Sequence, residues 1–137
     1  MGPRVLFVCV HNAGRSVMAE ELFRRAAAGR AESASAGTEP GDAPHPEVVA
    51  AMSEVGIDVA GHRGRMVTDE MVANADRVIT MGCAVDQEAC PAIRYRDVED
   101  WGLPDPKGRG VEQARAVRDE IDRRVRDLLR ELGVDPE

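Results

Sequence analysis

Apolar residues recur along this chain in two rhythms. Short continuous runs at residues 5–8 (VLFV) and 77–81 (RVITM) have the length of strands buried on both faces. Between and after them the apolar positions fall three or four apart, the spacing of one buried helix face. Met18, Leu22 and Ala26, with Ala19 and Phe23 alongside, predict a helix over residues 17–28 that Gly29 closes. Glu20 and Glu21 then fall in its first turn, where they suit the helix dipole. Val48, Ala51, Met52 and Val55 predict a second helix, with Pro46 in its first turn and Gly56 as its stop. Thr68, followed by Asp69 and Glu70, reads as the N-cap of a short helix through Ala75. The stripe Ala114, Val117, Ile121, Val125, Leu128 and Leu132 predicts a long helix over residues 111–132. The pairs Asp119/Arg123, Glu120/Arg124 and Asp122/Arg126 fall on its solvated side.

The intervening segments are less regular. Residues 31–36 read as a strand of small side chains ending at Gly37, and residues 38–46 as a loop rich in Gly, Pro and Asp. Residues 57–59 make at most a brief strand, and residues 61–66 a polar, basic loop. Residues 84–106 are the longest weakly periodic stretch, of the kind that tends to carry function in compact domains. Strands alternating with helices predict an α/β fold, a parallel sheet covered on both faces and joined by right-handed crossovers. Ligands of such sheets sit at the carboxyl ends of the strands. That rule gathers the loops after Cys9, around Cys83 and near Asp105 at one edge.

Composition narrows the class. At 137 residues the chain is read as one domain, residues 1–137, and 43% hydrophobic with 31% charged residues describes a globular protein. Aromatics are only 3%, so aliphatic side chains must build the core. A net charge of −7, with no separate basic block, argues against a nucleic-acid surface. No stretch has the length of a membrane span and the N-terminus lacks a signal-peptide core, which predicts a cytoplasmic location with reduced thiols.

The chemistry concentrates in Cys9-Val10-His11-Asn12-Ala13-Gly14-Arg15-Ser16, between the first strand and the first helix. Loop N–H groups and a helix N-terminus converging there favour an anion, and the same dipoles favour a thiolate at Cys9. Arg15 offers a planar fork for two oxygens of a tetrahedral oxyanion, and Ser16 a hydroxyl for the sulfur. Gly14 can take backbone angles closed to other residues. The spacing Cys-x5-Arg is weak by itself: Cys90 and Arg96 repeat it without a glycine, and with Pro91 behind the cysteine. Strand, loop and helix together distinguish the first copy from a buried, inert cysteine. Cys83 and Cys90, separated by six residues in a loop, suit a redox pair better than zinc; His11, His45 and His62 form no ligand pair with them. Two unrelated thiols remain the alternative. Asp105, in Leu103-Pro104-Asp105-Pro106, reads equally as a general acid for a leaving oxygen and as an ordinary turn residue.

Taken together, VLFVCVHNAGRSVMAEELF, SAGT, VGIDV, MGCAVDQEACP and DWGLPDP resemble the thioredoxin-coupled arsenate reductases, which share the low-molecular-weight protein tyrosine phosphatase fold. The resemblance runs in order through nearly the whole chain. It implies a central four-stranded parallel sheet, a monomer and no cofactor. It further implies that Cys9 attacks arsenate held by residues 10–16, for which phosphate or sulfate can stand in, while Asp105 protonates the departing oxygen. Cys83 then attacks Cys9 to release arsenite, Cys90 attacks Cys83, and thioredoxin reduces the resulting pair. Some positions depart from the family: Ala84-Val85 replaces the usual Gly-Asp after the middle cysteine, and Arg65 stands where some members place an Asp beside a potassium ion. Asn12, Glu20 and Ser35 match the rest of that cation set, and Arg65 predicts that no potassium is required because its own charge fills the place. Rival readings are a tyrosine phosphatase using the same loop, a reductase resolved by a small thiol such as mycothiol or glutathione, and a non-catalytic arsenite-binding or redox-sensing thiol protein.

Overall fold

The computed structural model describes residues 2–82, 98–104 and 106–137; Cys83, Cys90 and Asp105 lie outside them. The first strand, β1 (Arg4–Cys9), is central because nearly every side chain in it is apolar and buried. β2 (Glu32–Gly37) pairs with one side of β1 and β3 (Arg77–Thr80) with the other, while the two-residue β4 (Glu99–Asp100) adds to β3. The order is β2-β1-β3-β4 and every pairing is parallel. The expected four-stranded parallel α/β sheet is therefore present. Its fourth strand arises from the weakly periodic region, and residues 57–59 form none. An acidic pair two residues long carries no periodicity from which to read a strand.

Alternation along β1 assigns the two faces. Val5, Phe7 and Cys9 join one apolar cluster with α1 (Arg15–Ala27), α2 (Pro46–Ser53) and α4 (Gly110–Glu131). Leu6 and Val8 join a smaller one with Val67, Val78, and Val72 of α3 (Asp69–Asn74). Helices thus cover both faces. Phe7 meets Phe23 edge-on at 5.9 Å between ring centroids and Trp101 at 5.6 Å, so the aromatics among the described residues gather around the central strand. Small side chains in β2 bring α1 close enough for Ser33 Oγ to donate to the Glu20 carbonyl at 2.9 Å.

Helix ends follow local chemistry with small shifts. Pro46 opens α2, and Thr68 Oγ1 accepts the Met71 N–H at 3.1 Å as a true N-cap. α1 starts at Arg15 rather than Val17, which moves Glu20 out of the first turn and into a buried position. It closes at Ala28, which takes the left-handed conformation (φ 50°), one residue before Gly29. On α4, Glu120–Arg124 and Asp122–Arg126 pair as their spacing predicts. Asp119 instead pairs with Arg118, and Arg123 with Glu120.

Candidate active site

At the carboxyl end of β1 the chain turns through residues 10–14 and enters α1. The carbonyls of Cys9, Val10, His11 and Ala13 accept hydrogen bonds from the N–H groups of Thr38 (3.3 Å), Glu39 (2.8 Å), Gly41 (2.9 Å) and His45 (2.9 Å). In a trans peptide the C=O and the following N–H point in opposite directions. Fastening four carbonyls to the 38–45 segment therefore turns the next N–H groups of the loop the other way, toward Cys9. Asn12 shows the result, its N–H donating to Cys9 Sγ at 3.2 Å. Gly37 makes the close approach possible, since a Cβ there would lie 2.5 Å from the Val10 oxygen and 3.0 Å from the Asn12 nitrogen. The positive φ of the turn belongs to Asn12 (49°), a residue type that tolerates it, and not to Gly14 (φ −146°). A Cβ on Gly14 would meet the ring of His45 at 3.4 Å and Pro106 at 3.8 Å, ordinary van der Waals distances, so the position packs closely against both without excluding a small side chain.

Cys9 is buried, its sulfur 2.9 Å from Ser16 Oγ. Asn12 Nδ2 donates to the same hydroxyl at 2.8 Å. An amide NH2 can only donate, so Ser16 accepts from Asn12 and keeps its own hydrogen available to a Cys9 thiolate. Asn12 is oriented in turn by the Arg65 N–H and by His62 Nε2, both 3.2 Å from its Oδ1. His62 must then carry its proton on Nε2, because an amide oxygen only accepts. The sulfur thus has two directed donors, one backbone and one hydroxyl, which favour its anionic form.

Arg15 is 5% exposed, and its Nη1 donates to the carbonyls of Met81 (3.2 Å) and Leu103 (2.7 Å). One guanidinium so ties the residue after β3 and Leu103 to the start of α1. Together with Cys9, Val10, His11, Ala13, Gly14 and His45 it lines a cavity of about 100 Å³, roughly three water volumes. His11 Nδ1 lies 3.0 Å from the Glu39 carbonyl and donates to it.

The potassium set does not fit this arrangement. Ser35 Oγ donates to Glu20, whose other oxygen takes Arg24 Nη2 at 2.7 Å, while the Asn12 oxygen already has its two donors. The Arg65 side chain is exposed and only its backbone reaches Asn12, so Arg24, four residues along the same helix, supplies the positive charge expected of Arg65. Among the described residues no group of three or more His, Cys, Asp or Glu could hold a metal, and no helix is long and apolar enough to cross a membrane.

Several contributors were not read from the sequence. The 38–45 segment looked like an irregular loop, yet it orients the cradle. In the sequence His45 stands out only as an isolated histidine in a loop. The Met81 and Leu103 carbonyls that hold Arg15 leave no trace in residue identity.

A buried thiol that takes a backbone N–H from the loop following its strand, with an arginine lining the same cavity at the edge of a parallel sheet, defines the class of thiol-based oxyanion sites. The chain belongs to the low molecular weight phosphotyrosine protein phosphatase family, whose model matches residues 4–136. Within that fold its relatives include a protein from Synechocystis sp. named glutaredoxin arsenate reductase, 35% identical over 95% of this chain and 98% of its own length. A solved arsenate reductase in its phosphate-binding state is 35% identical, with a TM-score of 0.81 over 95% of this chain and 98% of that one. A thioredoxin-dependent arsenate reductase from Corynebacterium glutamicum, also 35% identical, superposes with a TM-score of 0.77 over 96% of this chain and 62% of its own.

Proposed function

We propose that this protein reduces arsenate to arsenite through a three-cysteine relay recycled by thioredoxin. The observation that carries the reading is the Cys9 sulfur, held by the Asn12 N–H and the Ser16 hydroxyl at the base of the cavity that Arg15 lines. In the first step the Cys9 thiolate forms a bond to arsenic. An oxygen leaves as water, its proton coming from Asp105. The Cys83 thiolate then attacks the Cys9 sulfur, and the electron pair of the As–S bond stays on arsenic, which departs as arsenite. Cys90 attacks Cys83, freeing Cys9 and leaving a Cys83–Cys90 disulfide, which thioredoxin reduces. Two electrons pass from the thiols to arsenic in each turnover. The arsenate reductase names of the relatives support the substrate, and the Corynebacterium glutamicum protein supports the reductant.

Two variants separate this from its rivals. In Cys83→Ser, arsenate-dependent NADPH consumption with thioredoxin and thioredoxin reductase should stop, while slow aryl-phosphate hydrolysis through Cys9 persists. Continued arsenate turnover in that variant contradicts the relay, and hydrolysis far exceeding reduction in the wild type favours a phosphatase. A second reading, resolution by glutathione with glutaredoxin, has the Synechocystis relative in its favour. A Cys90→Ser variant that remains active with the small-thiol system would select it.

A further inference from the structure

We infer that His45 is a further oxyanion-binding residue, its imidazole N–H donating to a bound anion's oxygen at the mouth of the Cys9 cavity. The inference rests on the reading of this cavity as an oxyanion site, and on no step of the thiol relay. His45 occupies the N-cap position of α2, where a Ser, Thr, Asp or Asn side chain would ordinarily satisfy the first N–H groups of the helix. Its ring makes no such bond. Instead the His45 backbone N–H fixes the residue to the Ala13 carbonyl at 2.9 Å, and its Cδ2 lies 3.4 Å from the place a Cβ on Gly14 would occupy. The ring so lies over the glycine and forms part of the cavity wall with Cys9 and Arg15.

The two histidines that line this cavity differ in one respect. His11 donates Nδ1–H to the Glu39 carbonyl, which commits it to the scaffold. Among the described residues the His45 ring has no hydrogen-bond partner, although it is half-buried. A ring N–H at the wall of an anion cavity, with no acceptor among the described residues, is placed to meet an acceptor on the ligand. The residue type fits the place as well. Asp, the stronger capping residue, would put a negative charge at the entrance, whereas imidazole is a donor in either protonation state. The nearest carboxylate in sequence, Glu47, accepts the Gly108 N–H at 3.1 Å.

The test is calorimetric titration of the full-length protein with inorganic phosphate, comparing wild type, His45→Phe and His45→Gln. Phenylalanine retains a flat ring over Gly14 and the backbone bond to Ala13 but removes both ring nitrogens; glutamine retains a donor. Phosphate binding should weaken about tenfold in His45→Phe, as for loss of one hydrogen bond to a charged group. It should weaken less in His45→Gln, with both melting temperatures near that of the wild type. Affinities within twofold of wild type in both variants overturn the inference. If His45→Phe fails to fold, a His45→Gln affinity no weaker than wild type, or as weak as that of His45→Ala, overturns it by itself. A wild type that binds no phosphate overturns the oxyanion reading of the cavity, an outcome distinct from wild-type binding that the variants leave unchanged.

Discussion

Arginine does two different jobs in this molecule, and the contrast between the Cys9 loop and the α2–α4 seam shows why. Arg15 is buried and holds backbone: Met81 and Leu103 carbonyls from two separate segments converge on its Nη1. Arg115, on α4, holds side chain: its Nε and Nη2 meet Glu54 at 2.8 and 2.6 Å, with both residues well exposed. Paired charges in water stabilise little, because solvent competes for each partner and both side chains lose rotamer freedom. A buried guanidinium that satisfies carbonyls has no such competitor, and its removal leaves acceptors without donors. The difference lies in what surrounds the charge, not in the charge itself.

Truncating the two arginines tests that contrast most severely. Arg15→Ala should abolish measurable phosphate binding and cut turnover by at least about a hundredfold. It should also lower unfolding stability by about 1–3 kcal/mol through the carbonyls it abandons. Arg115→Ala should leave turnover unchanged and move the melting temperature little. Thermal melts and phosphate titrations on both proteins check the pair. Comparable stability losses in the two variants would remove the distinction.

The same contrast explains what the sequence made legible. Strong periodicity marked α1, α2 and α4, because each buries one apolar stripe in the cluster that Val5, Phe7 and Cys9 join, and the central run 5–8 has the length and composition of a strand covered on both faces. The Cys9 loop was readable because strand, glycine-containing turn and helix follow one another directly, and Ser16 is one helical step past Arg15. Contacts made by backbone were not readable. The 38–45 segment acts through its N–H groups, which every residue except proline has, so its composition says loop and nothing of what it holds. Glu20 shows a smaller failure of the same kind: starting α1 two residues early turns a presumed dipole-facing carboxylate into a buried partner of Arg24 and Ser35. Arg65 shows another, since its backbone rather than its charge reaches the site.

Within the Cys9 loop, Ser16→Ala sharpens the comparison by removing a single donor from the sulfur. The loop fastenings to residues 38–45 and the Arg15 bonds are untouched, so phosphate affinity should hold. What changes is the thiolate, which loses the Ser16 hydroxyl at 2.9 Å and keeps the Asn12 N–H at 3.2 Å. Alkylation of Cys9 by iodoacetamide at neutral pH, measured with Cys83 and Cys90 replaced by serine, should slow about tenfold, the cost of one hydrogen bond to a charged group. Raising the pH should recover much of the loss, because a less stabilised thiolate forms only in more alkaline solution. An unchanged alkylation rate would mean that the backbone donor alone sets the state of the sulfur.

At the α2–α4 seam the expected effect is the smallest, and its pH dependence identifies it. Hydrogen bonds from Arg115 and then Arg118 hold the Glu54 carboxyl down to about 2 from an ordinary 4.5. A carboxyl lowered on folding stabilises the native state above its unfolded value, and the contribution is lost as the pH falls through the folded value. Glu54→Gln should therefore melt slightly below wild type at neutral pH, with the gap closing as pH falls from about 4.5 toward 2. The effect stays slight because Arg118, the buried member of the group, keeps the Ala51 carbonyl at 2.8 Å and Asp119 at 2.8 Å. Melting curves of the two proteins across that range decide the matter. A gap that persists at the acid end would show that glutamine disturbs the packing of α2 on α4 instead of removing a charge, and the seam would then resemble the buried site more than an exposed ion pair.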